Sequence, residues 1–203
     1  MAQVTRLDHE TRRRQLVLEA MRAFGSRGFE GTSLETVAEA AGVKKQTLLY
    51  YFPSKEDLFE ACVDEVSSRL SRSLEEVLVG PQEGWDRVES IIRSIFDLAE
   101  QMPELPLFAR EGARHSPDVV KRVADRLEPL RKRALRFLER GMDEGLFRTQ
   151  DPGLLLFTLY TAIVGSLTEA GVLRAFAGSQ RGTTALRKRE DELIQFVRRA
   201  LEP

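Results

Sequence analysis

Cysteine is almost missing: Cys62 stands alone in 203 residues. A single thiol closes no intramolecular disulfide and builds no zinc cluster, so an apolar core must hold the fold. The apolar helical setting of Cys62 marks it as a small buried hydrophobe rather than a reactive thiol. Histidine is scarce as well. His9 and His115 lie far apart, and neither has the neighbours that a metal site or a nucleophile–base pair needs. There is no HExxH, no phosphate-cradling glycine loop and no Gly-x-Ser-x-Gly elbow. Paired carboxylates such as Glu75-Glu76 sit on a helical stretch with nothing marking a cleft. The chain therefore reads as a non-enzyme, with no metal and no cofactor. Long apolar runs are also lacking. The longest uncharged stretch lies between Asp151 and Glu169 and is broken by Thr158, Tyr160, Thr161, Ser166 and Thr168. That suits a buried helix better than a membrane span. The N-terminus is polar and charged, without the pattern of a secretory signal, so a reducing cytoplasm is the expected compartment.

What is present is an ordinary globular balance, 42% hydrophobic and 31% charged, with a formal net charge of −1. The charge is unevenly spread. Residues 1–55 carry +3 and the remainder −4. A basic end on a near-neutral chain is a modest footprint for a polyanionic partner.

Apolar residues recur at helical spacing throughout, and no segment alternates as a strand does. Leu16, Val17, Ala20 and Phe24 line a first helix, and Gly28 followed by Phe29 ends it. Thr32-Ser33-Leu34-Glu35 has capping-box spacing for a second helix, with Leu34, Val37, Ala38 and Ala41 inward and Gly42 at its end. A short third helix spans about 44–52 and stops at Pro53. A long fourth continues to Gly80-Pro81, and a fifth spans about 85–102. A short helix over 107–115 and a longer one from Ser116-Pro117 follow, the latter kinked or split at Pro129. One helix over about 152–178 and a last over about 183–201 complete an all-α fold of about nine helices.

Residues 32–52 follow the grammar of a helix-turn-helix: two short helices, a tight turn at Gly42, and small Ala38 and Ala41 for close approach. The third helix displays Lys44, Lys45, Gln46, Thr47, Tyr50 and Tyr51, the cations, amides, hydroxyls and phenols that reach phosphates and base edges. Polarity alone equally fits two amphipathic helices with a solvated face.

The stretch Phe29–Leu58 resembles the DNA-binding domain of the tetracycline-repressor (TetR) family. The resemblance rests on Gly31-Thr32-Ser33, Val37-Ala38, Ala41-Gly42-Val43, Thr47-Leu48, Tyr51-Phe52 and Pro53-Ser54-Lys55-Glu56, with Ala23-Phe24 and Gly28-Phe29 before them. It implies a DNA-binding domain over 1–55 and a ligand-binding and dimerisation domain over 56–203. It places Lys44, Lys45, Gln46, Thr47, Tyr50 and Tyr51 along the recognition helix. Thr32, Ser33 and Lys55 are placed on phosphates near helix starts. The chain departs from the usual pattern at Lys44, where serine is common, at Gln46, where glycine is common, and at Leu49, where an aromatic is common. Gln46 gains the means to pair with an adenine edge.

The resemblance further implies a homodimer through the last two helices, a near-palindromic double-stranded operator and a small-molecule effector that releases it. The sequence supports the dimer independently. The 152–178 helix is apolar almost all round, which calls for two buried sides. Expected pocket residues are Phe96, Met102, Phe108, Phe157, Tyr160 and Thr161 as walls, with Arg110 as a polar anchor. A ligand-independent DNA-binding or architectural protein of the same fold is the alternative.

Overall fold

The computed structural model describes residues 2–115, 117–178 and 182–203. Among these residues it is wholly helical. Ten helices run α1 (Ala2–Arg27), α2 (Leu34–Ala40), α3 (Lys45–Tyr51), α4 (Lys55–Val79), α5 (Gly84–Gln101), α6 (Glu104–His115), α7 (Pro117–Asp143), α8 (Pro152–Thr168), α9 (Ala170–Ala177) and α10 (Thr183–Leu201). No helix among the described residues is long and apolar enough to cross a membrane.

The all-α expectation holds, and three local readings change. The 152–178 helix divides at Glu169, which leaves helical geometry with φ −92° and ψ 50°. Gly165 and Gly171 flank the break, and glycine makes a helix costlier to continue. At Pro129, where a kink or a split is expected, α7 runs on without a split. The proline ring forfeits one backbone bond, and the rest of the 27-residue helix outweighs that loss. Helix α6 begins three residues earlier than its spacing suggests and takes Pro106 into its first turn, where no intrahelical N–H is required.

The chain divides into two compact units: residues 1–68 with 104–123, and residues 69–103 with 124–203. In the first unit α1 packs on α2 and α6, and α2 packs on α3. Leu16, Ala20, Met21 and Phe24 bury the inner face of α1 completely. Phe24 sits at the centre of a ring cluster, 5.6 Å from Phe29, 5.1 Å from Phe59 and 6.4 Å from Phe108. Edge-to-face and offset pairs at these distances add to the burial of each ring. The α1–α6 approach is close because position 25 has no side chain. A Cβ there would lie 3.0 Å from the Phe108 backbone nitrogen and 3.1 Å from the Leu107 Cβ.

Cys62 lies in this core, and its thiol points at the Val17 carbonyl, 3.6 Å away. Burial pushes its pKa up, because an apolar surround disfavours the thiolate. Native protein should therefore leave Cys62 unmodified by a thiol reagent at mildly alkaline pH, with full labelling only in denaturant. Stoichiometric labelling of the native chain would contradict that burial.

In the second unit α5 packs on α10, and α10 on α8. Val88, Ile92, Phe96, Phe137, Phe147 and Val197 lie in its core. Glu190 is fully buried at 0% exposure. Arg187 Nη1 reaches its carboxylate at 2.9 Å and Arg93 Nη1 at 3.4 Å. Both arginines also bind α5 carboxylates: Arg187 holds Asp97 and Glu100, and Arg93 holds Glu89. A buried carboxylate needs such partners to remain charged.

Candidate nucleic-acid interface

Helices α2 and α3 are short, and a side-chain cap fixes the start of α2. Ser33 starts α2: its hydroxyl accepts from the Thr36 backbone N–H at 3.1 Å. The cap thus falls one residue beyond the Thr32 of the capping-box spacing. Thr32 is 2% exposed, and its hydroxyl donates to the Gly28 carbonyl at 2.8 Å. It ties down the loop ahead of α2. Gly42 makes the turn with φ +67°, a left-handed conformation that side chains disfavour. The Val43 N–H donates to the Ala38 carbonyl at 2.9 Å and closes that turn.

Helix α3 is seven residues long and buries one side chain fully, Leu48. Lys44, Lys45, Gln46 and Thr47 are exposed, and Tyr50 stands out at 75% exposure. Leu49 and Tyr51 are half-buried. One apolar anchor therefore holds a rod whose other side chains offer hydrogen-bonding and cationic groups to solvent. A lone seven-residue helix is unstable in water, so packing on α2 must sustain it.

Charge placement is uneven along this edge. Lys45 pairs with Glu35 of α2, and its ammonium holds the Glu35 carboxyl below the usual carboxylate range. Both groups are exposed, so the pair adds little stability. Lys55, the first residue of α4, lies with its ammonium 4.2 Å from the Phe29 ring centroid. That cation–π contact aims a flexible side chain. Ser54 caps the same helix, accepting from the Asp57 N–H at 3.0 Å.

Sequence spacing misses two neighbours of α3 on α1. The His9 ring lies 4.5 Å from Tyr51 and 6.0 Å from Tyr50, centroid to centroid. The Arg13 guanidinium sits 5.1 Å from the Phe52 ring. The one available signal is that His9 and Arg13 are four residues apart and so share a helix face.

The expected ligand residues are divided between the two units. Phe108 is buried in the first unit beside Phe24, and Arg110 is half-buried in the same unit and already partnered. Phe96 and Met102 are buried in the second. On α8, Phe157 is 62% exposed and Tyr160 is 48% exposed, with Thr161 also exposed. An open groove of about 640 Å³ lies along α8, α9 and α10, lined by Gly165, Ser166, Val172, Leu173, Phe176 and Arg189 among others, and it contains none of those residues. The described residues form no cluster able to hold a metal ion.

A capped helix, a tight glycine turn and a second helix exposing polar side chains make a helix-turn-helix arrangement. The family model for bacterial regulatory proteins of the tetR family matches residues 16–62, the span just described. Over those residues the chain is similar to the tetR family.

The transcriptional regulator RutR of Escherichia coli is 46% identical over 55 residues, which are 27% of this chain and 26% of RutR. This first group of curated relatives is thus matched over about a quarter of its length. The transcriptional repressor AcnR of Corynebacterium glutamicum is 29% identical over 163 residues, 77% of this chain and 80% of AcnR. Among solved structures, AibR in complex with isovaleryl coenzyme A and operator DNA superposes with a TM-score of 0.74 at 19% identity. That likeness covers 91% of this chain and 97% of AibR. At that identity it speaks for the fold. RutR is named a transcriptional regulator and AcnR a transcriptional repressor.

Proposed function

We propose that this protein is a dimeric transcriptional repressor of the cytoplasm that reads a near-palindromic operator and is released by a small-molecule effector. The observation that carries this reading is α3: Leu48 anchors it while Lys44, Lys45, Gln46, Thr47 and Tyr50 stay exposed. Tyr51, Ser33 and Lys55 complete the proposed contact set, and Thr32 supports it from beneath. Residues 1–55 act as the reading domain and 56–203 as the effector and dimerisation domain. AcnR is named a repressor and AibR is solved with both isovaleryl coenzyme A and operator DNA, which supports the same division of labour here.

The exposed side chains of the last helices support the dimer. Leu154 (67% exposed) and Phe157 on α8, with Phe196 (65% exposed) on α10, are large apolar groups that one copy leaves in water. A second copy gives them a partner. Phe157 and Tyr160 thus serve the dimer face in this reading, and the effector pocket is left to other residues. Two reading heads then engage one operator when they stand about 34–36 Å apart, one turn of DNA. An effector that favours another separation lowers operator affinity, and the operator lowers effector affinity by the same factor.

The test is a gel shift on duplex DNA flanking the protein's own gene, at several salt concentrations and with candidate effectors. Salt-sensitive binding that an effector relieves supports the reading. Salt-sensitive binding that no effector relieves favours the ligand-independent alternative, and absence of any duplex affinity overturns both. Within the same assay, Gln46→Ala should alter the preferred base at one operator position by about 1–3 kcal/mol. Uniform weakening on every operator would show that Gln46 does not read a base.

A further inference from the structure

The α1 end of the first unit bears on the same interface, and the inference rests on the DNA-binding reading. His9 is exposed on α1, yet its ring is in contact with α3. It meets Tyr51 at 4.5 Å with a 38° tilt and Tyr50 at 6.0 Å with an 80° tilt. Tyr50 and Tyr51 themselves meet edge to face at 5.3 Å. Three rings from two helices thus form one patch beside the exposed side chains of α3. Four residues on, the Arg13 guanidinium covers Phe52, the residue that ends α3. The N-terminal part of α1 therefore flanks the reading helix.

We infer that His9 is a further DNA-contacting residue: its imidazolium binds a backbone phosphate beside the reading helix, and its ring positions Tyr51. The placement fits both roles. The ring face lies on Tyr51, which restricts the tyrosine rotamer, and the exposed side leaves a ring N–H for an anion. From α3, Tyr50 and Tyr51 face His9. The charged residues within four positions of it in the sequence are Arg6, Asp8, Glu10, Arg12, which donates to Gln15, and Arg13, which covers Phe52.

The consequence is measurable because histidine is the side chain that ordinarily changes charge between about pH 5 and 8. Each cation that neutralises a phosphate releases condensed counterions and steepens the slope of log affinity against log salt by about 0.9. The slope for wild-type protein on its operator should be steeper at about pH 6 than at about pH 8, by about 0.9 per bound protomer. His9→Phe keeps a ring on Tyr51 and should match wild type at the higher pH while losing the pH difference. His9→Gln should also lose the difference and, lacking the ring, bind more weakly at both pH values. His115→Gln, the control at the other histidine of the sequence, should keep the difference.

Wild-type binding with one slope at both pH values overturns the inference, as does a pH difference that survives His9→Phe and His9→Gln or vanishes in His115→Gln. Those outcomes leave the DNA-binding reading standing. Only a wild-type protein with no salt-sensitive duplex affinity removes both together.

Discussion

Phe24→Ala should lower the unfolding free energy by about 3–5 kcal/mol, read from the midpoint of denaturant unfolding at unchanged slope. The ring is fully buried and touches Phe29, Phe59 and Phe108, which arrive from a loop, α4 and α6. Its removal deletes the transfer energy of a large side chain and leaves a hole that three separate elements must close. They cannot close it cheaply, because Gly25 already brings α6 almost onto the α1 backbone. Phe24→Leu should restore more than half of the loss by refilling most of the volume. A cost under about 1 kcal/mol for the alanine variant would mean that the ring cluster is not the keystone described.

The second large effect is electrostatic. Truncating Arg93 and Arg187 together to alanine should cost about 3 kcal/mol, the lower end of the range for stripping a buried charge of its partners. The lower end applies because both guanidiniums are half-exposed, so their loss admits some water to Glu190. Adding Glu190→Gln to that double variant should return much of the stability, since a neutral amide no longer needs a cation. The cycle isolates the coupling between carboxylate and arginines. If Glu190→Gln destabilises the double variant further, the buried charge is not the source of the penalty.

Much of the helical layout is legible in the sequence, because each boundary carries its own chemistry. Gly42, Pro53, Gly80-Pro81 and Asp151-Pro152 stop or start helices where the structure does. Asp151 caps α8, accepting from the Leu154 N–H at 2.8 Å. The misplacements arise where local signals conflict. Thr32 and Ser33 are both good caps, and the one with a buried hydroxyl bond to Gly28 loses the role to its neighbour. Pro129 looks like a break when read alone, but a long amphipathic helix absorbs it.

The interface is partly legible too. Exposure of residues 44–47 and 50 follows from their polarity, and the burial of Leu48 follows from its spacing. His9 is not legible, because its relation to Tyr51 is a contact across 42 positions that no periodicity encodes. Which aromatic side chains are buried is less legible. Phe108 and Phe157 are equally apolar in the sequence, yet one lies inside a core and the other faces solvent, and only the packing of helices decides which.

The placement of α6 has an engineering consequence. The polypeptide departs from its first unit at Ser68 and comes back at Glu104, so that unit is not one continuous ribbon. A chimera that borrows only the N-terminal segment inherits a missing wall, with Phe24 and Phe59 bared where Phe108 had covered them. Grafting this reading head onto a foreign sensor therefore requires the 104–123 strip to be stitched in as well, or an apolar substitute to be designed in its place.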